Sequence, residues 1–466
     1  MDYTQLTEAD VKRMLAAVGV AGVEDLFRDI PPQARLRRPL DLPGGLDEPA
    51  LLEELQRLAS ANRPAAGSAC FLGAGCYDHF IPSVVDALAG QSEFVTAYTP
   101  YQAEASQGSL QAFYEYQTMI CQLTGMDVSN ASLYEGATAA AEAVLMARAA
   151  TGRRRVVVSR AVHPHTREVL ATYLRELPVE TVVVPAPDGT TDLQALAACL
   201  DEQTAAVLVQ SPNFFGCPER LDLAAGAVRR VGGLLIASVD PISCGLLKTP
   251  GELGADIVVG DAQPLGIPMS WGGPSLGFMA CRESLMRRMP GRLIGATRDR
   301  SGRRAYCLTL QTREQHIRRE RATSNICTNQ GLLALRVSIY LAAMGPRGLH
   351  AVARLCLDKA HQAARRIAAL PGFRLRFAAP FLREFVVQAP GDPAGLLQHA
   401  RGRGILAGVP LGTWFPELAD CLLVAVTERR TAAQIDALAA VLREAAGGMS
   451  PAGGGGGSDR WVTTSS

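Results

Sequence analysis

Lysine is scarce in this chain of 466 residues. Only Lys12, Lys248 and Lys359 occur, although lysine and arginine together number 46. Nearly all of the basic charge is therefore arginine. Because lysine is the side chain that offers a primary amine, chemistry that needs such an amine is restricted to these three positions.

Cysteine pairs and long apolar runs are absent as well. The eleven cysteines are spaced singly without a CxxC motif, so we interpret them as idle thiols and predict no metal site. No apolar run approaches the roughly 20 residues that span a bilayer. The start, MDYTQLTEADVKRML, is typical of a polar helix rather than of a signal peptide, and we expect a cytoplasmic protein.

The overall charge has almost no net sign. Lysine plus arginine number 46 and aspartate plus glutamate 45, which gives a formal net charge of +1. A chain without a global field does not attract nucleic acid or an anionic membrane, and we predict neither as a partner.

Six short β-branched runs alternate with helical segments in the middle of the chain. Continuous apolar runs separated by helices indicate a mainly parallel sheet covered on both faces, which is an α/β fold. The runs are Arg154–Ser159, Thr181–Pro185, Ala205–Gln210, Gly233–Asp240, Asp256–Gly260 and Ser275–Ala280.

Changes in sequence texture predict four parts. Residues 1–65 form a helical arm, 66–330 a large α/β domain that includes a long helix at Ala105–Gly125, and 331–446 a small α+β domain that begins with the helix GLLALRVSIYLAAMG. Residues 447–466 are glycine-rich, and we expect this tail to be disordered.

Polar residues follow several of the predicted strands and helix starts. EGATAAAEA places Gly136 and Thr138 at a helix start that could cradle a phosphate, His163 and Asn213 each follow a strand, and Asp240 ends one. Their order resembles that of fold-type-I pyridoxal phosphate enzymes. Each residue also has a structural explanation, since Thr138 is typical of a helix cap, His163 of a satisfied histidine and Asp240 of a turn.

The amine expected in such an enzyme is missing. Pyridoxal phosphate is held as an imine by a lysine, which would come from the turn after the strand at Asp256–Gly260. That turn holds Asp261, Ala262 and Gln263, and an amide cannot form an imine. The sequence therefore predicts the frame of such an enzyme, with a degenerate cofactor pocket at Gly136, Thr138, His163, Asn213, Asp240 and Gln263.

Two further segments are rich in polar groups. The tyrosine loop, Tyr98–Gly108, contains Tyr98, Tyr101, Glu104 and Gln107, a composition typical of a cleft or an interface, although a capped helix start explains it too. The arginine segment, Arg287–Arg321, has eleven arginines against three acidic residues. A solvated helix face or a nucleic-acid patch are alternatives there, but an anion site or an acidic partner fits better.

Longer motifs identify a family. YTPYQAEASQG, QPLGIPMSWGGPSLGF, MPGRLIGATRD, LQTREQHIRRERATSNICTNQGL and LLVAVTERRTAAQIDAL resemble the P-protein of the glycine cleavage system, specifically its subunit 1 type. The resemblance extends from the arm to about residue 446.

The resemblance implies glycine dehydrogenase (aminomethyl-transferring) activity. In that reaction glycine is decarboxylated through pyridoxal phosphate, and the aminomethyl group passes to the lipoyl arm of the H-protein. The lysine and the cofactor would belong to subunit 2 of a heterotetramer. Candidate contributors to the partner's active site are Tyr98, Tyr101, Glu104, Gln107, Arg313, His316 and Arg318.

Two other functions compete with this one. The chain could be a self-sufficient decarboxylase or aminotransferase that uses an unrecognised lysine such as Lys248. It could also be a binding module that acts through the arginine segment, which salt-dependent binding of nucleic acid would reveal.

Overall fold

The computed structural model describes residues 6–62, 64–322, 324–326 and 329–448. The chain divides into two units, Met1–Arg63 and Pro64–Ser466. The predicted disordered tail falls on residues 447–466, of which all but the first two lie outside the described residues. None of the described helices is both long and apolar enough to cross a lipid bilayer.

The first unit contains two helices, α1 (Glu8–Val18) and α2 (Glu48–Ser60). Thr7 caps α1 through a capping box with Asp10, and Asp47 caps α2 by accepting a hydrogen bond from the backbone of Ala50. Neither helix buries a residue within the described structure. Short helices of this kind gain most of their stability from packing rather than from propensity.

The second unit contains fifteen strands over its described residues. In chain order they are β1 (Ala69–Cys70), β2 (Val128–Ser129), β3 (Arg155–Ser159), β4 (Glu180–Val184), β5 (Thr204–Ser211), β6 (Leu234–Val239), β7 (Ile257–Asp261), β8 (Gly277–Cys281), β9 (Leu293–Arg298), β10 (Arg304–Thr309), β11 (Arg374–Leu375), β12 (Glu384–Gln388), β13 (Ile405–Leu406), β14 (Val409–Pro410) and β15 (Cys421–Ala425).

The α-helices of this unit continue the numbering of the first. They are α3 (Ser83–Ala89), α4 (Ser92–Val95), α5 (Gln107–Thr124), α6 (Gly136–Thr151), α7 (Pro164–Leu174), α8 (Leu193–Cys199), α9 (Leu221–Arg230), α10 (Gln315–Arg318), α11 (Gly331–Ala368), α12 (Pro393–Gly402) and α13 (Ala432–Gly448).

A seven-stranded sheet forms the centre of the second unit. Its order is β2-β8-β7-β6-β5-β3-β4, and the neighbours from β7 to β4 are parallel while β8 and β2 pair antiparallel at one edge. All six runs predicted as strands are present. The α/β fold with a mainly parallel sheet is confirmed.

Alternate residues along these strands enter two different cores. On β5, Val207 packs into one core and Leu208 into the other, and Val258 and Val259 of β7 divide in the same way. Because neighbouring side chains of a strand point to opposite faces, a sheet covered on both sides needs apolar residues at every position. This is why the strands appear in the sequence as unbroken apolar runs.

A smaller sheet, β11-β12-β15-β14, lies in the last third of the chain. The helix α11 contacts both α5 and α13, and its backbone turns at Gly345, which has φ 60 and precedes Pro346. Pro and a left-handed glycine are common causes of such a break. The fold therefore includes the predicted small α+β region, while the boundary at residue 330 stays a prediction.

Candidate active site

A cavity of about 230 Å³ lies at the carboxyl ends of the central strands, beside the start of α6. We call it the central cavity. Open α/β sheets place their ligand sites at this edge, because the strand ends leave a crevice between the flanking loops. Its lining includes Tyr77, His163, Asp240, Asp261, Arg383 and Glu384.

Three of the six predicted cofactor-pocket residues line this cavity, namely Gly136, His163 and Asp240. The hydroxyl of Thr138 donates instead to the backbone oxygen of Glu135 at 3.2 Å, which is a helix-cap contact. The roles predicted for these residues stay predictions.

The amide of Asn213 is engaged away from the lining. Its Nδ2 donates to the backbone oxygen of Gly189 at 2.7 Å and to Glu219 at 2.8 Å. Its Oδ1 accepts hydrogen bonds from the backbone of Phe215 and Cys217. Both ends of the amide are therefore satisfied, by Gly189 between β4 and α8 and by residues of the loop that follows β5.

The start of α6 is occupied by two carboxylates. The backbone N–H of Gly136 donates to Oδ2 of Asp261 at 3.1 Å, and the N–H of Thr138 donates to Oε1 of Glu135 at 2.8 Å. Asp261 also accepts hydrogen bonds from Ser275 and from the backbone of Gln263. Burial raises the pKa of Asp261, and these hydrogen bonds oppose the rise.

His163 is a neutral imidazole in this setting. Its Nε2 lies 2.8 Å from the backbone oxygen of Ala74, and its Nδ1 accepts the N–H of His165 at 3.1 Å, so the proton is assigned to Nε2. Burial lowers the pKa of His163 to about 4. At neutral pH this ring therefore brings no positive charge to the central cavity.

Arg383 crosses from the start of β12 to the end of β6. Its Nη2 lies 3.0 Å from Oδ1 of Asp240, its Nη1 donates to Nε2 of His79 at 2.7 Å, and its Cζ lies 3.4 Å from the centre of the Tyr77 ring. The carboxylate of Asp240 raises the pKa of Arg383 against the effect of burial. The guanidinium is thus held by an ion pair, a hydrogen bond and a stacked ring.

Tyr77 is held from three sides. Its hydroxyl donates to Glu384 at 2.8 Å, and its backbone N–H and oxygen both bond the side-chain amide of Gln263, at 2.9 and 3.0 Å. Burial raises the pKa of Glu384. Gln263 gives its remaining N–H to the backbone oxygen of Ile267, so this amide serves as a brace for the neighbouring loops.

No lysine lines the central cavity within the described part of the chain. Lys248 is exposed, and Lys359 donates to the backbone oxygen of Glu428. Lys12 belongs to the first unit.

One group of side chains has a spacing that a metal could use. His79, Cys356 and Glu428 each offer a ligand atom, and these atoms lie within 4.8 Å of one another. However, Nε2 of His79 already accepts a hydrogen bond from the Arg383 guanidinium, and Nδ1 faces Glu428 at 2.7 Å. A second cation beside Arg383 would be repelled, so we assign no metal to this group.

The tyrosine loop and the arginine segment meet at Arg292. Its Cζ lies 5.5 Å from the centre of the Tyr101 ring, and its guanidinium pairs with Glu314. Arg313, the residue directly before Glu314, donates to the backbone oxygens of Met289 and Gly291. The structure therefore brings together two predicted segments that are far apart in sequence.

The remaining predicted contributors differ in exposure. Tyr98 is 96% exposed, and Glu104, His316 and Arg318 are exposed too. Gln107 bonds the backbone of Tyr306 on β10 through both ends of its amide, at 2.9 Å each. Gln107 is thus committed within the chain, whereas the exposed side chains face solvent.

Several buried polar atoms near these segments have no hydrogen-bond partner among the residues that the structure describes. They are Nε of Arg313, Oε1 of Glu314, Nδ2 of Asn329 and Oδ1 of Asn130. Native proteins leave few such atoms, because each costs roughly 1 to 3 kcal/mol. In the arginine segment itself, the buried side chains of Arg313 and Glu314 therefore each keep one polar atom without a hydrogen bond in the described chain.

The lining of the central cavity also includes residues that are not in the predicted pocket, among them Tyr77, Glu135, Asp261, Arg383 and Glu384. Tyr77 lies in the loop FLGAGCYDHF, and Arg383 and Glu384 lie in FLREFVV, about 300 residues further along the chain. An arginine and a glutamate at the start of an otherwise apolar strand are an available signal, but nothing in their spacing indicates a contact with Asp240 or Tyr77.

The sheet order and the position of the central cavity define the class, which is the fold-type-I architecture of pyridoxal phosphate enzymes. Two solved structures under 25% identical share this fold over 89% of the chain. They are a sphingosine-1-phosphate lyase of Burkholderia pseudomallei (17% identity, 94% of its chain, TM-score 0.63) and a glutamate decarboxylase of Lactobacillus brevis (12%, 95%, TM-score 0.65).

Within that class, the chain belongs to the glycine cleavage system P-protein family, whose sequence model matches residues 1–442. It is 53% identical to a probable glycine dehydrogenase (decarboxylating) subunit 1 of Geotalea uraniireducens, over 96% of this chain and 100% of that one. The protein of the same name from Desulfitobacterium hafniense is 50% identical over 95% and 100%. A crystal structure of an inhibitor-bound glycine decarboxylase (P-protein) is 46% identical, with a TM-score of 0.88 over 96% and 100%.

The central cavity of this chain does not fit pyridoxal phosphate. Glu135 and Asp261 already accept hydrogen bonds at the helix start that would hold a phosphate, and two more carboxyl groups, Asp240 and Glu384, line the same space. The only arginine or lysine among the described lining residues is Arg383, and Asp240 pairs with it. A phosphate dianion there would face carboxylates without a free cation.

Proposed function

We propose that this chain is the subunit without the lysine in a two-subunit glycine decarboxylase of the glycine cleavage system. The enzyme decarboxylates glycine with pyridoxal phosphate and transfers the aminomethyl group to the lipoyl arm of the H-protein. The cofactor is held by subunit 2 through its lysine. The observation that carries this proposal is the absence of a lysine from the described lining of the central cavity, in a chain about 50% identical to proteins named subunit 1.

The contribution of this chain is to complete the partner's active site. The tyrosine loop and the arginine segment meet at Arg292, expose Tyr98, Glu104 and Arg318, and contain buried polar atoms without partners in the described chain. Another subunit packed against these segments would bury the exposed side chains. Assembly as a heterotetramer and a cytoplasmic location stay predictions.

The test is reconstitution. Glycine carboxyl exchange with labelled bicarbonate is measured for this chain alone, for subunit 2 alone and for both together, each with lipoylated H-protein. We expect exchange only when both subunits are present, because only subunit 2 supplies the amine. Exchange by this chain alone that Lys248→Ala abolishes would overturn the proposal and would favour a self-sufficient decarboxylase. Lys12→Ala is the matched control.

A further inference from the structure

Three groups in or beside the central cavity already have internal partners at positions where a cofactor would need free groups. The helix start carries the Asp261 carboxylate, the carboxyl end of β6 carries an aspartate that is already paired, and the turn after β7 carries the braced amide of Gln263. This further inference builds on the proposed function, and it concerns why this chain, rather than its partner, is without the cofactor.

At the helix start, Asp261 acts as an internal anion. Its two oxygens accept hydrogen bonds from the backbone of Gly136 at 3.1 Å, from the backbone of Gln263 at 2.9 Å and from the hydroxyl of Ser275. Three converging donors at the start of a helix of sixteen residues are what an anion requires. Removal of the Asp261 carboxylate would leave all three donors free to bind another anion.

At the opposite end, Arg383 acts as an internal cation. Its planar guanidinium is stacked on Tyr77, with 3.4 Å between Cζ and the ring centre, and pairs with Asp240 at 3.0 Å. An aspartate at this position is the usual partner of the pyridine nitrogen of pyridoxal phosphate. Here a side chain of the same polypeptide neutralises the aspartate, and His79 holds the guanidinium from a third direction at 2.7 Å.

We propose that the central cavity is satisfied from within, with the Asp261 carboxylate in the position of an anion at the start of α6 and the Arg383 guanidinium as the cation on Asp240. This chain therefore excludes phosphorylated ligands, pyridoxal phosphate included, through residues that are separate from the missing lysine. Asp261 is the residue that determines the exclusion, because its removal frees three donors at one point.

The experiment titrates the purified full chain with pyridoxine 5′-phosphate in a calorimeter. This probe carries the ring and the phosphate but no aldehyde, so it cannot react with surface amines. Inorganic phosphate and unphosphorylated pyridoxine are titrated in parallel. The variants are Asp261→Ala and the matched control Asp222→Ala, which removes a carboxylate at the exposed start of α9.

We expect Asp261→Ala to bind pyridoxine 5′-phosphate and inorganic phosphate at least tenfold more tightly than the wild-type chain and Asp222→Ala do, with no gain for pyridoxine. Equal affinity of Asp261→Ala and Asp222→Ala for both phosphorylated probes would overturn the inference, as would wild-type binding as tight as that of Asp261→Ala. If Asp261→Ala does not fold, as judged by circular dichroism, Asp261→Asn is used. It removes the charge at nearly constant shape, and the same two outcomes decide.

This test is independent of glycine turnover. A chain that exchanges glycine carboxyl groups by itself contradicts the proposed function but leaves the calorimetric result to be judged separately. A chain that fails in exchange and yet binds pyridoxine 5′-phosphate tightly as wild type contradicts only the inference about Asp261.

Discussion

The central cavity and the arginine segment differ in how their buried polar groups are satisfied. At the central cavity, the side chains of Asp261, Gln263 and Arg383 are all hydrogen-bonded or ion-paired to other residues of the same chain. Near the arginine segment, atoms of Arg313 and Glu314 find no hydrogen-bond partner in the described residues. This contrast supports the proposal above, in which the chain completes a partner's active site and holds no cofactor of its own.

The largest effect is expected from removing the ion pair between Arg383 and Asp240 at the central cavity. Arg383→Met should lower the free energy of unfolding by roughly 3 kcal/mol, because it leaves the Asp240 carboxylate, whose side chain is only 14% exposed, without its partner. Denaturant unfolding followed by circular dichroism measures this loss. Arg354→Met, which breaks an exposed pair with Asp358 on α11, is the control and should cost less than about 1 kcal/mol.

A double variant separates the ion pair from the packing of Arg383. If the unpaired carboxylate causes the loss, Asp240→Asn added to Arg383→Met should recover more than half of it. No recovery would mean that the cavity is held by packing on Tyr77 alone, and the contrast between the two regions would then lose its electrostatic basis.

A second prediction concerns Glu142 on α6, the helix that starts at the central cavity. Its partner Ser324 lies three residues after the end of the arginine segment. Glu142 is 2% exposed, and burial raises its pKa from 4.5 to about 7, opposed by a hydrogen bond from Ser324. Since the folded state holds this proton more tightly than the unfolded state, the associated stability is complete below pH 4.5 and is lost as the pH rises through 7.

Glu142→Gln should remove that loss. At pH 8 the variant should exceed the wild type in free energy of unfolding by about 2 to 3 kcal/mol, with little difference at pH 4.5. The measurement is denaturant unfolding across this pH range, with the exposed Glu168→Gln on α7 as the control. Parallel stability curves for wild type and Glu142→Gln would show that Glu142 does not titrate in this window.

The smallest effect in free energy is expected for the exposed side chains of the tyrosine loop and the arginine segment. Tyr98→Ala, Glu104→Ala and Arg318→Ala should each lower glycine carboxyl exchange of the two-subunit enzyme about tenfold, which is near 1.4 kcal/mol, while assembly and stability stay unchanged. These side chains are exposed, so truncation leaves no cavity, whereas Tyr101 packs on Phe113 and is unsuitable for truncation.

The exposed Arg354→Ala on α11 is the matched control for the exchange assay. Unchanged glycine carboxyl exchange in all three variants would mean that the tyrosine loop and the arginine segment do not contribute to the partner's active site, and that this chain only supports the assembly.

Much of the fold can be predicted from local sequence. The strand at Ala205–Gln210 is predicted within one residue of β5, and Gly125 ends α5 in the left-handed conformation, at φ 69, as its position predicts. Buried parallel strands have a continuous apolar signal, and helix ends have a conformational one. Both signals depend on neighbouring residues alone.

The site is harder to predict from the sequence, because its contacts join segments that are far apart in the chain. Arg383 meets Asp240 across more than 140 residues, and Gln263 braces Tyr77 across 186. For the arginine segment a solvated helix face is one alternative, and the exposed α10 lies there, but β9 and β10 of the same segment form an antiparallel hairpin that the sequence does not predict. Charge at high density hides the alternation that would predict these strands.

The ion pair between Arg383 and Asp240 also bears on how such a chain could change over generations. Under the proposed arrangement, regaining a lysine would leave Asp261 and Arg383 in place, so no single substitution would restore an independent catalyst. Division of labour between the two subunits is therefore easy to keep and hard to reverse.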